Sequence, residues 1–362
     1  MTLSPVFRSP DAVALLAERG VWSRLAEDME AQAEAVRAVY RDLEGILGAE
    51  FRKPAPYVPA ASEVMTPGGL AFLQEYFFLI LFRSIFRSLG VPRERLSTYT
   101  ELNFCIKGTI TAADNLFDDQ AKSLLPLSER SGPRFMSILQ LMAFERLSRK
   151  VLDRGEGAAI LTAAERAAVQ RGLLDRMATI GALEGSEEKG VDDVLRPEVM
   201  VEAVHEVRGG ALFALAFVAP SVLERGEGAR KMARAEVAVA RLGTAFQIVD
   251  DLTDFEFDLR RRSHNLLVAE IEHRGSREER TALQKARAGV ETAAGVQAGV
   301  VEGAFRRSAR AVLGRAYEEA QAALQGLHDL GFWLEPDLAE DVVHAIVGLD
   351  GTRRMEALAR PE

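Results

Sequence analysis

Four aspartates stand in pairs one helical turn apart, Asp114 with Asp118 and Asp250 with Asp254. At helical spacing each pair shares a face, and two like charges there destabilise a helix. A hard divalent cation removes that cost. Mg²⁺ accepts one or two protein carboxylates and keeps its remaining positions for water and phosphate oxygens. Each pair also closes an apolar run: Leu242-Gly-Thr-Ala-Phe-Gln-Ile-Val-Asp-Asp-Leu-Thr-Asp turns abruptly acidic, and Thr109-Ile-Thr-Ala-Ala-Asp-Asn-Leu-Phe-Asp-Asp does the same upstream. A single acidic helix end is ordinarily solvated surface. Two of them, at the mouth of antiparallel helices, could hold several Mg²⁺ ions around one diphosphate.

These residues carry a family resemblance. The two segments resemble the aspartate-rich motifs of the trans-isoprenyl diphosphate synthases and the related class I terpene synthases. Gly243, Ala245-Phe246-Gln247-Ile248, Asp250-Asp251, Asp254 and Asp258 stand where the second motif has them. In the first motif Asn115 replaces the usual second aspartate, which leaves Asp114 and Asp118 as the expected ligands, with Asp119 an alternative to Asp118. The likeness spans roughly residues 65–350. It implies an all-α helical bundle around an apolar cavity, three Mg²⁺ ions, an allylic prenyl diphosphate as substrate, and metal ligation by Asp114, Asp118, Asp250 and Asp254.

Between the motifs, His205-Glu-Val-Arg208-Gly-Gly-Ala-Leu-Phe lies where the family commonly has Lys-Thr-x-x-Leu-Phe. Arg208 takes the lysine's position, and a planar, always-charged donor suits pyrophosphate. Gln247, Asp251 and Phe246 are expected at the substrate, as are Arg261, Arg262 and His264, at least one of them closing over the leaving group. Thr109 and Ile110, a turn before the first motif, are expected to floor the hydrophobic pocket; neither is aromatic, which favours a farnesyl-length or longer substrate. His205 reads as an ordinary surface or core histidine. Gly209-Gly210 in a helix costs on the order of 1 kcal/mol each, so the pair marks either a break facing the cavity or close packing.

Two departures from the elongating enzymes point the same way. Gly68-Gly69 is followed by Leu-Ala-Phe rather than by the basic residues that help bind isopentenyl diphosphate, and Lys122 alone stands where an Arg-Arg pair follows the first motif. A chain that holds two diphosphates at once needs a second cationic cluster. The expectation from sequence is therefore a terpene-synthase-type reaction, in which an allylic diphosphate ionises and its cation cyclises or eliminates. The alternatives are a chain-elongating polyprenyl diphosphate synthase, with Lys107 or Lys122 compensating, and a silent binding or regulatory subunit. No Ser-His-Asp or Cys-His arrangement appears, which agrees with chemistry that needs no protein nucleophile.

The 362 residues, 48% of them hydrophobic, suffice for a large core. A net charge of −9 argues against nucleic acid as partner. Cys105 is the single cysteine, so no intrachain disulfide can form, and a cytoplasmic setting is expected. No signal peptide is apparent. The most apolar window, Leu70 to Phe82, is interrupted by Gln74 and Glu75 and reads as a buried core helix rather than a bilayer span; a homodimer is compatible with the likeness.

The elements that must position these residues are helical throughout. Residues 1–59 read as a helical extension, broken near Gly20 and ending in a linker with Pro54, Pro56 and Pro59; residues 60–350 as the catalytic bundle; 351–362 as a tail. Thr66-Pro67 opens a helix that Gly90-x-Pro92 stops, and Thr98-Tyr-Thr-Glu101 fits a capping box opening the next. Residues 135–152 and 163–183 read as amphipathic helices, 185–197 as a polar rim loop, and 198–224 as a helix. Residues 277–327 are helical, with a turn framed by Gly326 and Gly331 before a final helix from Pro336.

Overall fold

A computed structural model describes residues 10–117, 121–129, 132–291, 299–347 and 353–359. Among them there is no strand; the one β-bridge joins Arg52 to Leu127. The chain divides into two compact units. The first is built mainly from Ala14–Arg171 and Leu215–Met232, the second from Gly172–Ala214 and Ala233–Glu362.

In the first unit the helices Val21–Glu44, Pro67–Ser88, Arg93–Phe117 and Pro133–Gly157 pack around an aromatic core. Phe104 meets Tyr40, Tyr76 and Phe144 edge-on, with ring centroids 6.3, 5.7 and 5.6 Å away. Edge-to-face contacts of this kind add to simple burial. Gly20, in the left-handed region at φ 76°, ends the first helix and lets Val21 begin the second, as the sequence suggests. Thr66 caps the Pro67–Ser88 helix by accepting from the Gly69 N–H at 3.1 Å. Fully buried Asp28 ties this helix to Val21–Glu44, with Arg87 Nη2 at 2.7 Å and Arg83 beside it. Tyr99, whose hydroxyl pKa burial pushes up, donates to Glu224 Oε1 at 2.7 Å.

The expected capping box at Thr98 does not form. The helix already begins at Arg93, directly after Pro92, whose fixed φ suits a helix start. Thr98 and Thr100 sit inside it and return their hydroxyls to the carbonyls of Glu94 and Leu96, at 3.3 and 2.6 Å. The next helix likewise runs past Leu152 to Gly157; Gly155 lies within it where Leu161 packs, and the chain turns at Ala159 with φ 56°.

The second unit carries the helical run Pro197–Leu223 as far as Ala214, most of Gly226–Thr253, and the helices Phe255–Arg261, Leu266–Arg274, Arg277–Glu291, Arg306–His328, Pro336–Val347 and Arg353–Ala359. Phe255, Phe305, Leu267, Ile271 and Leu327 lie in its core, the two phenylalanines 5.6 Å apart. Buried Glu279 closes a capping box with Ser276 and also accepts from the Ser308 N–H at 3.0 Å. Gly326 does not frame a turn; it lies within Arg306–His328, and the chain reverses at Gly331, φ 94°.

Two helices, Pro67–Ser88 and Pro197–Leu223, are long and apolar enough to cross a membrane, and more than half of each apolar window is buried within the protein. Cys105 is buried, and its thiol pKa is pushed up by desolvation.

Candidate active site

The second aspartate motif lies at the C-terminal end of Gly226–Thr253. Helical bonding continues one step past that end, with the Asp254 N–H donating to the Asp250 carbonyl at 2.8 Å, so the two residues are one turn apart as the spacing predicts. Asp250 is exposed and Asp254 half-buried. Negative side chains at a helix C-terminus oppose the helix dipole as well as each other. The crowding is visible on Asp258, whose carboxyl pKa is pushed well up by burial and by the charges of Asp251, Asp250 and Asp254. This excess of anionic oxygen fits a divalent cation. Among the described residues no group of three or more His, Cys, Asp and Glu side chains forms a ready-made metal site.

Asp251, adjacent in sequence, does a different job in this structure. It is buried, and its Oδ2 accepts from the Leu266 N–H and lies 2.8 Å from His205 Nε2. Asn265 donates to the Asp251 carbonyl at 2.7 Å and to Asp258 Oδ2 at 2.8 Å, while its own Oδ1 caps the Leu266–Arg274 helix. His205, only 1% exposed, takes the core setting of the two that the sequence left open, and it joins the end of the motif helix to the Pro197–Leu223 run. A further residue that sequence reasoning missed is Arg354. Its Nη1 donates to the Leu252 carbonyl at 2.6 Å, and its guanidinium also pairs with Glu256 and Glu302. It caps the carbonyls that the helix end leaves unsatisfied.

Arg208 lies one turn beyond His205 on a stretch, Val201–Gly210, wound as a π-helix. The glycine pair on it has a packing cause. A Cβ at Gly209 would come 2.5 Å from the Gly243 carbonyl oxygen, and one at Gly210 would lie 3.2 Å from the Ala240 carbonyl. Close packing, the second of the two sequence readings, accounts for both glycines. The guanidinium of Arg208 is largely buried beside Glu184 and donates to Glu187 Oε1 at 2.8 Å. The segment after Leu183 is therefore more than a polar rim: Glu187 is buried and also accepts from the His264 N–H at 3.2 Å.

The remaining expected substrate residues of this unit sit around it. Phe246 stacks on Phe213, with centroids 5.8 Å apart, and half-buried Gln247 packs its Cβ against the Gly209 backbone. Arg261 lies over the Phe257 ring at 5.3 Å, and Arg262, in the left-handed region at φ 57°, donates to Asp192 at 2.5 Å. Both are exposed, whereas His264 is half-buried, with its pKa lowered by desolvation.

The first unit carries the first motif. Asp114 is exposed on the last turns of Arg93–Phe117; Asp118 and Asp119 lie outside the described residues. Asn115 is buried, its carboxamide donating to the Lys122 carbonyl at 2.7 Å and accepting from the Lys122 N–H at 3.1 Å. Thr109 and Ile110 are half-buried, Thr109 donating to the Cys105 carbonyl at 3.0 Å. Next to them the Phe144 ring fills the space a Cβ at Gly108 would need, 2.1 Å away.

Lys107 and Lys122 converge. Their ammonium nitrogens each lie 2.8 Å from one carboxylate, Lys107 from Glu75 Oε1 and Lys122 from Glu75 Oε2. Burial would raise the Glu75 pKa, but the two ammonium charges outweigh it and hold the group below its ordinary value. Burial pushes the Lys107 pKa down, with Glu75 and Asp114 working against that fall. Glu75 is the lone acid of the apolar window Leu70 to Phe82, a signal that was readable. What it pairs with was not.

No protein-family model matches the chain, and no curated protein does. Solved structures do. A polyprenyl synthase from Roseobacter denitrificans is 17% identical, with 90% of this chain and 98% of that chain covered and a TM-score of 0.57. A decaprenyl diphosphate synthase from Rhodobacter capsulatus is 18% identical, covering 90% and 99% at 0.54. A geranylgeranyl pyrophosphate synthase from Lactobacillus brevis is 11% identical, covering 87% and 96% at 0.58. The chain has the all-α isoprenoid synthase fold of these polyprenyl and geranylgeranyl diphosphate synthases.

Proposed function

We propose that this chain is a Mg²⁺-dependent prenyl diphosphate enzyme, and that it elongates: an allylic diphosphate loses pyrophosphate, and the double bond of a second, homoallylic diphosphate attacks the resulting cation. The observation that carries this reading is the pair Lys107 and Lys122 on Glu75. The terpene-type expectation rested on the want of a second cationic cluster. Two ammonium groups meet at one carboxylate, with Asp114 also acting on Lys107, and each ammonium has three N–H donors, of which Glu75 takes one. The fold likeness to chain-elongating synthases supports the same choice.

The chemistry divides among the residues as follows. Asp250 and Asp254, with Asp114 and Asp118 from the first motif, would hold Mg²⁺, which supplies neutralisation of the departing diphosphate. Arg208 is the donor for the same leaving group, released to it from Glu184 and Glu187. The C1–O bond breaks with its electron pair going to pyrophosphate, the C–C bond forms, and a proton leaves the condensed product to the pyrophosphate. Apolar walls keep water from the cation. The substrate chain length belongs to the pocket around Thr109 and Ile110.

Cyclisation or elimination stays as a second reading on one observation. Gly69 is required for packing, since a Cβ there would lie 1.8 Å from the Glu63 carbonyl oxygen, so this glycine needs no part in substrate binding. Purified protein, Mg²⁺ and an allylic diphosphate, with and without isopentenyl diphosphate, separate the two by product analysis. A longer diphosphate formed only with both substrates supports elongation; a hydrocarbon or alcohol from the allylic substrate alone refutes it. Release of no pyrophosphate under either condition would instead favour the silent subunit.

A further inference from the structure

Asn115 stands where the related enzymes carry an acid, and its surroundings give that exchange a purpose. We propose that Asn115 is a positioning residue, whose carboxamide fixes the main chain of Lys122 and thereby sets the Lys122 ammonium beside Lys107 on the anion-holding cluster. This rests on the reading of Lys107 and Lys122 as a diphosphate site.

Lys122 is gripped at both of its main-chain polar groups. Asn115 Nδ2 donates to its carbonyl and Asn115 Oδ1 accepts from its N–H, at 2.7 and 3.1 Å. Only a side chain with one donor and one acceptor can do both; an ionised aspartate has no donor and would set a negative charge against the carbonyl oxygen. Asn115 is 3% exposed, so water does not substitute for either bond. Gln140 completes the frame. Its Nε2 donates to the Lys122 carbonyl at 3.3 Å, and its Oε1 accepts from the Leu124 N–H at 2.8 Å and from Ser123 Oγ at 3.1 Å. A lysine side chain is flexible and holds an anion as a point charge, so its reach is set by where the backbone begins. With that backbone held on both sides, the ammonium falls 2.8 Å from Glu75 Oε2, opposite Lys107. The asparagine therefore removes a carboxylate from the first motif and organises a cation in the same move.

The test is calorimetric titration of the full-length protein with inorganic pyrophosphate in metal-free buffer, on wild type, Asn115→Ala, Lys122→Met and the double variant. Circular dichroism and thermal unfolding confirm that each is folded. Wild type is expected to bind. Lys122→Met and Asn115→Ala should each weaken binding by about tenfold, the order of one charge-assisted contact, and Asn115→Ala should add nothing in the Lys122→Met background. Asn115→Asp, which replaces Asn115→Ala should that variant not fold, should bind more weakly than wild type despite restoring the familiar residue. If Asn115→Ala binds as wild type while Lys122→Met does not, the positioning role is overturned and the lysine site stands. An equal loss from Asn115→Ala in both backgrounds also overturns it. If wild type does not bind, or Lys122→Met binds as wild type, the lysine site fails and the inference falls with it.

Discussion

The Gly243 Cα faces the Gly209 carbonyl so closely that a Cβ there would lie 2.2 Å from that oxygen. Backbone thus meets backbone between the helix whose last turn carries Asp250 and the coil that carries Arg208. Gly243→Ala would force them apart. Overpacking of this kind costs about 1–3 kcal/mol, so the melting temperature should fall by several degrees, and turnover should fall further than stability alone explains, because Arg208 and the aspartates shift relative to one another. A variant with unchanged melting and unchanged turnover would refute the tight contact.

Asp250→Ala and Asp114→Ala should each abolish pyrophosphate release from an allylic diphosphate, and EDTA should do the same to wild type. Both residues are exposed; relief of like charge should leave the thermal unfolding of Asp250→Ala unchanged or slightly raised, whereas Asp114→Ala also loses an attraction to Lys107. Full release by either variant would remove it from the metal site.

Arg208 and Glu187 form a largely buried pair, 2.8 Å apart. Arg208→Ala leaves the carboxylate of Glu187 without that guanidinium, a loss on the order of 3 kcal/mol, and should also lower kcat. Glu187→Gln separates the roles, since it frees Arg208 from one competing charge. Its expected signature is tighter pyrophosphate binding with reduced stability; weaker binding would mean that Glu187 aims the guanidinium rather than competing for it.

Glu75 yields a pH prediction. Its pKa in the fold is depressed below the ordinary 4.5 by Lys107 and Lys122. A depressed carboxylate contributes stability that is fully present above the unfolded value and is lost as pH falls through the folded one. The melting-temperature difference between wild type and Glu75→Gln should hold steady above about pH 5 and shrink toward acid, below the 4.5 of the free group. A difference that does not change with pH would deny the ion pairs.

Thr109→Phe should shift preference toward shorter allylic substrates, read from competing substrates in one reaction. Thr109 is half-buried beside Gly108, where the Phe144 ring already presses on the helix. An unchanged preference would place the pocket floor elsewhere.

Much of this molecule was legible along the chain, because helices and like-charge pairs are local. Periodicity, Gly20, Thr66-Pro67 and Gly90 place the helices, and the spacing of Asp250 and Asp254 puts both on one turn whatever they pack against. Where reading failed locally it was through competition between local signals: Thr98 to Glu101 has the form of a cap, but Pro92 had already started the helix.

Partnership was the part that only tertiary structure decided. Nothing near Glu75 in sequence announces Lys107 and Lys122, which stand on a different helix and in a loop, and the proposal of elongation rests on their convergence on one carboxylate. The same holds for Arg208 with Glu184 and Glu187, for His205 with Asp251, and for Arg354 at the carbonyl of Leu252. Each joins residues distant along the chain whose charges carry no address of their own. An ion pair depends on separation in space, and that separation exists only after the helices have packed.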